Sequence, residues 1–388
     1  MKIQSLSPIN FNQTVKRNVN NNTSIPLTQK QDVIELSSTK NISFSGNFLE
    51  KIKLKREAKA LKKESNEVQK ASQITLTRIK EHQHKASAIT QHSKRILKDA
   101  QMLKEDIKEM VFALNTAYMA EGVIENVGEV EQRIVQEGIE RIYEETQDGK
   151  LVRKTIIDPE YITVITTAPY RNPFCHIFDA KTFDLISYYD NFEKFENGGF
   201  GADERYVFED EKLKSYHFDY KFNYDKRNGQ PKEFSRKLYG FNNDVLCEYA
   251  KFVKSSANGT LGARERILIE PKAILQTIGE FNYRDGSYSA IESYLFEKFS
   301  TTSSKPKLMQ HEKGVKISKS GTETFDYMFS YQNENLQKVR TKVCQTGLKV
   351  DFEKQFEYAG KKQKPVGCLI YEPLGDFYNT TVERYVKF

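Results

Sequence analysis

The sequence predicts an α+β protein in three parts: a disordered tail over residues 1–46, a helical arm over 47–138, and an antiparallel β-meander of degenerate hairpins over 139–388. Three observations carry this reading. Two aromatics spaced one residue apart recur ahead of polar turns, as in Tyr206-Val207-Phe208, Phe222-Asn223-Tyr224, Tyr239-Gly240-Phe241, Phe281-Asn282-Tyr283, Phe329-Ser330-Tyr331 and Phe356-Glu357-Tyr358. A heptad seam of small and apolar residues runs from Leu54 to Ala117. The first 44 residues are rich in Asn, Gln, Ser and Thr, with too little apolar surface to order themselves.

The tail comes first. Met1-Lys2-Ile3-Gln4-Ser5 lacks the uninterrupted apolar stretch of a secretory signal, and no run of eighteen apolar residues occurs anywhere, so no transmembrane segment is expected. A polar, Ser/Asn-rich tail also suits recognition by a specialised export machine. The expected location is therefore cytoplasmic, the alternative being export without a cleaved secretory signal.

From Asn47 the composition turns charged and helix-favouring, and Ser45-Gly46-Asn47 supplies an N-cap region with Glu50 near the positive end of the helix dipole. The seam reads Leu54, Ala58, Leu61, Ser65, Val68, Ser72, Thr75, Ile79, His82, Ala86, Ile89 and Ser93, then Ile96, Ala100, Leu103, Ile107, Met110 and Leu114. Ile96 to Leu114 is apolar at each step and is the candidate helix interface. The Ser, Thr and His before it predict a marginal helix or one needing a partner: a second copy in a coiled coil, an antiparallel fold-back broken near His82-Gln83-His84, or the sheet itself. Glu129 to Glu137 is expected as a short helix before a first strand near Ile139.

In a strand, residues two apart share a face, so each aromatic phrase places two rings side by side. The candidate aromatic face is Phe222, Tyr224, Tyr239, Phe241, Phe281, Tyr283, Phe329, Tyr331, Phe356 and Tyr358. Asn242-Asn243-Asp244, Arg284-Asp285-Gly286 and Gln332-Asn333-Glu334-Asn335 follow as turn formers. About fourteen to eighteen strands are expected, as an open sheet or a partly closed barrel.

Aromatic-x-Tyr-Asp followed by glycine, seen in Phe222-Asn223-Tyr224-Asp225 with Gly229, resembles the tyrosine-aspartate repeats of bacterial Rhs-type shells. The resemblance covers the last three fifths of the chain and implies a many-stranded antiparallel sheet, with nothing catalytic. Spacing between phrases varies from 16 to 48 residues, unlike a regular array.

Chemistry leaves little linear trace. Cys175, Cys247, Cys344 and Cys368 form no CxxC pair, as expected of thiols in a reducing compartment. His82, His84 and His92 miss the i, i+4 spacing of helical metal ligands, and Cys175-His176 would point to opposite faces of a strand. Gly198-Gly199-Phe200-Gly201 runs into a strand rather than the helix a phosphate loop requires. No catalytic, cofactor or metal residues are nominated, and no specific nucleic-acid motif is present.

Charge is uneven: residues 48–120 hold sixteen Lys and Arg against nine Asp and Glu, and Lys51 to Lys63 is the densest part, suited to non-specific anion contact. Together these features predict a non-enzymatic structural or protein-interaction protein, with the helix as oligomerisation or docking element and the sheet as scaffold. The alternatives are a carrier holding an apolar ligand in a curved aromatic sheet, and an exported bacterial effector.

Overall fold

The computed structural model describes residues 48–116, 122–127, 130–137, 140–167, 172–224, 231–256, 261–298, 306–373 and 381–388. The tail, its possible role as a signal and the N-cap at Ser45-Gly46-Asn47 lie outside them. Helix α1 runs unbroken from Phe48 to Thr116, so the fold-back at His82-Gln83-His84 is not formed. No proline or glycine interrupts those 69 residues, and the backbone has no cause to kink. The helical arm is also shorter than expected, because Gly122–Val127 and Val130–Glu137 are strands. The segment 130–137 alternates as Val130, Gln132, Ile134 and Gln136 against Glu131, Arg133 and Val135, with the three β-branched residues Val130, Ile134 and Val135, and its pairing with the following strand decides it.

Two compact units divide the described chain, one of residues 79–269 and one of residues 48–78 with 270–388. The division falls inside α1, so neither unit corresponds to the helix/sheet boundary expected from the sequence.

The first unit holds thirteen strands among the described residues: β1 Gly122–Val127, β2 Val130–Glu137, β3 Glu140–Gln147, β4 Lys150–Ile157, β5 Tyr161–Thr166, β6 Phe174–Asp179, β7 Leu185–Asp190, β8 Glu193–Lys194, β9 Phe200–Glu209, β10 Lys212–Tyr224, β11 Pro231–Asn242, β12 Val245–Ser256 and β13 Leu261–Ile269. They pair antiparallel in chain order, except that β9 reaches past the short β8 to pair with β7 as well.

The second unit holds nine: β14 Ala273–Asn282, β15 Tyr288–Glu297, β16 Lys307–Ile317, β17 Glu323–Gln332, β18 Asn335–Thr346, β19 Lys349–Asp351, β20 Lys354–Ala359, β21 Lys364–Pro373 and β22 Thr381–Lys387. These again form an antiparallel ladder, with β18 pairing both the short β19 and β20. Among the described residues the ladder of each unit is open and does not close into a barrel. The count exceeds the expectation because β1, β2, β8 and β19 add to the meander.

A meander places successive turns at alternate ends of its strands. Asp210-Glu211, Asn243-Asp244 and Asn333-Glu334 are two-residue turns with both residues at positive φ, between 49° and 62°, the geometry that matches strand twist. Turns at the opposite end are longer and held by side chains: Ser287 N–H donates to Asp285 Oδ1, and Thr322 N–H to Ser318 Oγ.

Between the two ends lies a crease. Asp219 and Phe252 in the first unit, and Gly279, Gly314 and Lys342 in the second, sit mid-strand with φ from 50° to 62°. In the second unit the ladder sets Gly279, Ile291, Gly314, Asp326 and Lys342 in one transverse row. At this row the alternation slips by one residue. Ala250 and Val253, three apart, enter one apolar cluster; Phe325 and Met328 enter another.

Two of the five crease positions are glycines with reason: a Cβ at Gly279 would lie 2.6 Å from Ile291 Cδ1, and one at Gly314 would lie 2.2 Å from Asp326 Oδ2. Gly279→Ala is accordingly expected to cost about 1–3 kcal/mol, from the positive φ and the contact with Ile291 together, read as a lower urea midpoint at unchanged m-value.

Candidate functional site

The seam of α1 faces the sheet. Leu54, Ala58, Leu61, Ser65, Val68, Ser72 and Thr75 are all buried in the second unit; Ile79, Ala86, Thr90, Ser93, Ile96, Ala100 and Ile107 are buried in the first. Of the candidate helix interface, Ile96, Ala100 and Ile107 are buried, Leu103 and Met110 are half-buried, and the Leu114 side chain lies outside the described residues.

In the second unit the helix advances about one strand per turn. Ala58 O accepts from Tyr358 Oη in β20 at 2.9 Å, Ser65 Oγ donates to Tyr331 Oη in β17 at 3.2 Å, and Thr75 Oγ1 donates to Gln276 Oε1 in β14 at 2.8 Å. A helical turn rises about 5.4 Å and strands lie about 4.8 Å apart, so two turns span close to one hairpin. The seven-residue period thus comes from crossing hairpins at a shallow incline. In the first unit, His82 stacks on Tyr249 with ring centroids 3.6 Å apart and bonds Tyr239 Oη through Nδ1 at 3.2 Å, while His92 meets the ring of Tyr206.

The polar residues of the seam therefore have partners that sequence periodicity hid: Ser65 and His82 meet the hydroxyls of large buried rings, Thr75 meets Gln276, and Ser72, Thr90 and Ser93 turn back to carbonyls of the helix. Burial pushes the Tyr239 hydroxyl up to about 12 and raises Tyr331 and Tyr358 as well, so all three stay neutral hydrogen-bonding groups. Acidic residues one heptad apart flank the seam. Glu50 takes Arg384, Glu57 takes Lys354 at 3.2 Å, and Glu64 takes Lys313. The hydrogen bonds from Arg384 hold the Glu50 carboxyl below its ordinary range, against the opposing effect of burial.

The ten aromatics nominated as one face separate at the crease. Tyr239, Phe329, Tyr331, Phe356 and Tyr358 are buried on the helix side of it, and Phe241 is buried beyond a register shift between Gly240 and Phe241. Phe222 and Tyr224, past Asp219, instead pack into a cluster with Cys175, Ile177, Tyr189, Phe192, Phe200, Ala202 and Tyr220. Phe281 and Tyr283, past Gly279, are exposed, with their rings in edge contact at 4.7 Å. A period-two rule assumes unbroken alternation, and the crease breaks it.

Next to the first unit's second cluster lies the most chemically varied group in the described residues. Arg205 Nη1 is 3.6 Å from Glu233 Oε2, both side chains nearly fully buried, and the guanidinium lies 4.5 Å from the Tyr220 ring centroid and 5.5 Å from that of Tyr189. His217 contacts Ser235 Oγ through Nδ1 at 2.8 Å and Ser215 Oγ through Nε2 at 3.0 Å. Burial and the neighbouring Arg205 charge hold His217 well below its ordinary value, hence neutral. Burial raises Glu233 against the pull of Arg205; for Arg205, burial is outweighed by Tyr189, Tyr220 and Glu233, which keep it charged.

A Ser-His-acid relay needs the carboxylate on the imidazole nitrogen remote from the nucleophile. Here that nitrogen meets a second serine, and the carboxylate is spent on Arg205. The group joins side chains of β9, β10 and β11 across the sheet. Nothing in the linear pattern marks Arg205 and Glu233 as inward-facing, because both reach the cluster only through the slip at the crease.

This group makes a pH prediction. The unfolded chain takes up a proton at His217 below about pH 6.5 that the folded chain refuses, so stability falls as pH drops through that value, by up to about 1.4 kcal/mol per unit. Glu292 adds a separate loss at lower pH: hydrogen bonds from His311 and Tyr294 bring it down to about 2, so its contribution is full above its unfolded value and vanishes as pH falls towards 2. Urea titrations from about pH 7.5 to pH 5 should show the first slope in the native chain and a flatter one in His217→Gln.

Other sequence candidates stay apart. His84 is exposed, whereas His82 stacks on Tyr249 and His92 meets Tyr206 at a tilt, and no group of three or more possible metal ligands occurs among the described residues. Cys175 points into the second cluster with its thiol pushed up to about 12 by burial, whereas His176 stacks among Phe174, Phe178 and Tyr188. All four cysteines are free thiols. Asp225 and Gly229 of the tyrosine-aspartate motif lie outside the described residues. No known protein family and no curated protein matches the chain.

Proposed function

We propose that this protein is a non-enzymatic scaffold for protein interaction, built of antiparallel sheet covered by a helix, whose outward surfaces dock partners. The observation that carries the reading is the fit between seam and rings: small residues on α1 oppose large ones on the sheet, and the tyrosine hydroxyls Tyr358, Tyr331 and Tyr239 are met by the helix. An aromatic face closed by its own chain suits a rigid platform better than a carrier for an apolar ligand. The coiled-coil form of the proposal loses support, since Ile96, Ala100 and Ile107 are spent inside the fold. Docking then falls to what points outward, including Phe281, Tyr283 and Ile291, each at least 40% exposed.

Among the described residues no helix is long and apolar enough to cross a membrane. Four free thiols support a cytoplasmic setting. The effector reading rests on the tail, outside the described residues; of the Rhs-type motif, Phe222-Asn223-Tyr224 lies in β10 and Asp225 and Gly229 lie outside the described residues.

Organic extraction of the purified full chain followed by mass spectrometry tests the scaffold against the carrier. No stoichiometric apolar ligand and no uptake of a fluorescent fatty probe are expected. A bound lipid recovered at one per chain would overturn the proposal.

A further inference from the structure

We propose that the first third of α1 and the β20–β21 turn form a peripheral attachment site for an anionic lipid surface. Lys53, Lys55, Arg56, Lys59 and Lys63 are exposed on the helix. The acids that would neutralise them are turned inward: Glu50, Glu57 and Glu64 bind Arg384, Lys354 and Lys313 of the sheet, and the first exposed acid along the helix is Glu67. Heptad-spaced acids on the seam therefore leave the outward surface of the same turns basic.

A second element adds to the patch. Lys62 Nζ donates to Gln363 Oε1, which fixes the turn 360–363 beside the helix, and Lys361, Lys362 and Lys364 around that bond are all exposed. Eight cations from two separate stretches of chain thus converge on one side of the second unit. Surface charge gathered in this way attracts a phosphate-rich face, each Lys or Arg near it strengthening binding about fivefold.

Apolar exposure separates a bilayer from a polynucleotide. Phe48 and Leu49 are 74% and 71% exposed at the head of the helix. At about 100° per residue, Phe48 shares a line along the helix with Lys55 and Lys59, seven and eleven residues on. Leu49, about 100° further round, shares a line with Arg56 seven residues on, and large apolar side chains beside cations suit the headgroup boundary, where rings and methyls enter the acyl edge while charged groups stay with phosphates. A nucleic-acid backbone offers no such place for Leu49.

Co-sedimentation of the full chain with vesicles tests the site. Vesicles of phosphatidylcholine containing phosphatidylglycerol should bind the protein, with affinity falling as salt rises, and vesicles of phosphatidylcholine alone should not. The variant Lys55→Glu, Arg56→Glu, Lys59→Glu and Lys63→Glu should weaken binding by at least about a hundredfold. All four positions are exposed, and unchanged far-ultraviolet circular dichroism will verify the fold.

Phe48→Ser with Leu49→Ser should weaken vesicle binding while leaving any retention on a single-stranded RNA oligonucleotide unchanged. Absence of binding to anionic vesicles, binding that survives the charge reversals, or RNA binding without vesicle binding would each overturn the proposal.

Discussion

Ile107→Glu is expected to lower stability by about 3–5 kcal/mol and to leave the molecular mass in solution unchanged. Ile107 is 2% exposed on the buried seam of the first unit. The substitution removes a packed aliphatic side chain and offers a carboxylate no water, so the last turns of α1 lift from the sheet or the unit opens. Leu103→Glu is expected to cost less, about 1–2 kcal/mol, because Leu103 is only half-buried and its carboxylate can swing to solvent. Urea unfolding with light scattering on the same samples separates the possibilities. A mass that drops by half with the unfolding midpoint unchanged would make the seam an interface between chains and sink the intrachain assignment.

Arg205→Met is expected to cost a similar amount, about 3–5 kcal/mol, by leaving the buried Glu233 without the guanidinium that faces it. Adding Glu233→Leu should restore most of the loss, to within about 1 kcal/mol of the native chain, because a buried ion pair pays for desolvation on both sides and an apolar pair of similar volume does not. Single and double variants of equal stability would show that the two side chains do not depend on each other. A double variant that regains stability yet broadens its nuclear magnetic resonance spectrum would assign the pair to strand register.

Both results bear on what can be read without coordinates. Hairpins are written locally: Asn243, Asp244 and Asn333 adopt positive φ because short polar side chains tolerate it, Glu334 follows Asn333 into the same turn, and the aromatic phrases before these turns favour strands whatever surrounds them. The seam of α1 is equally local, since a period near seven along 69 residues puts Ala58, Ser65 and Ser72 on one side of any helix. In its last stretch Ile96, Ala100 and Ile107 are buried and Leu103 is half-buried.

What covers that seam is a different kind of fact. A row of Ser, Thr and His reads as weakness until Tyr331 and Tyr239 stand opposite, and those rings come from residues more than 150 positions away in sequence.

The sequence alone determined the ribbons, their turns and the face that the helix must bury, because each depends on backbone preferences and side chains within a few residues. Tertiary structure decided which end of its strands each aromatic pair occupies, and so why Phe329 is buried while Phe281 is exposed. It also decided that a crease at Asp219 and Gly279 shifts the alternation. The physical reason is that a turn's place in a meander, and the covering of a face, are set by pairing across the sheet, a long-range condition that no short window of residues contains.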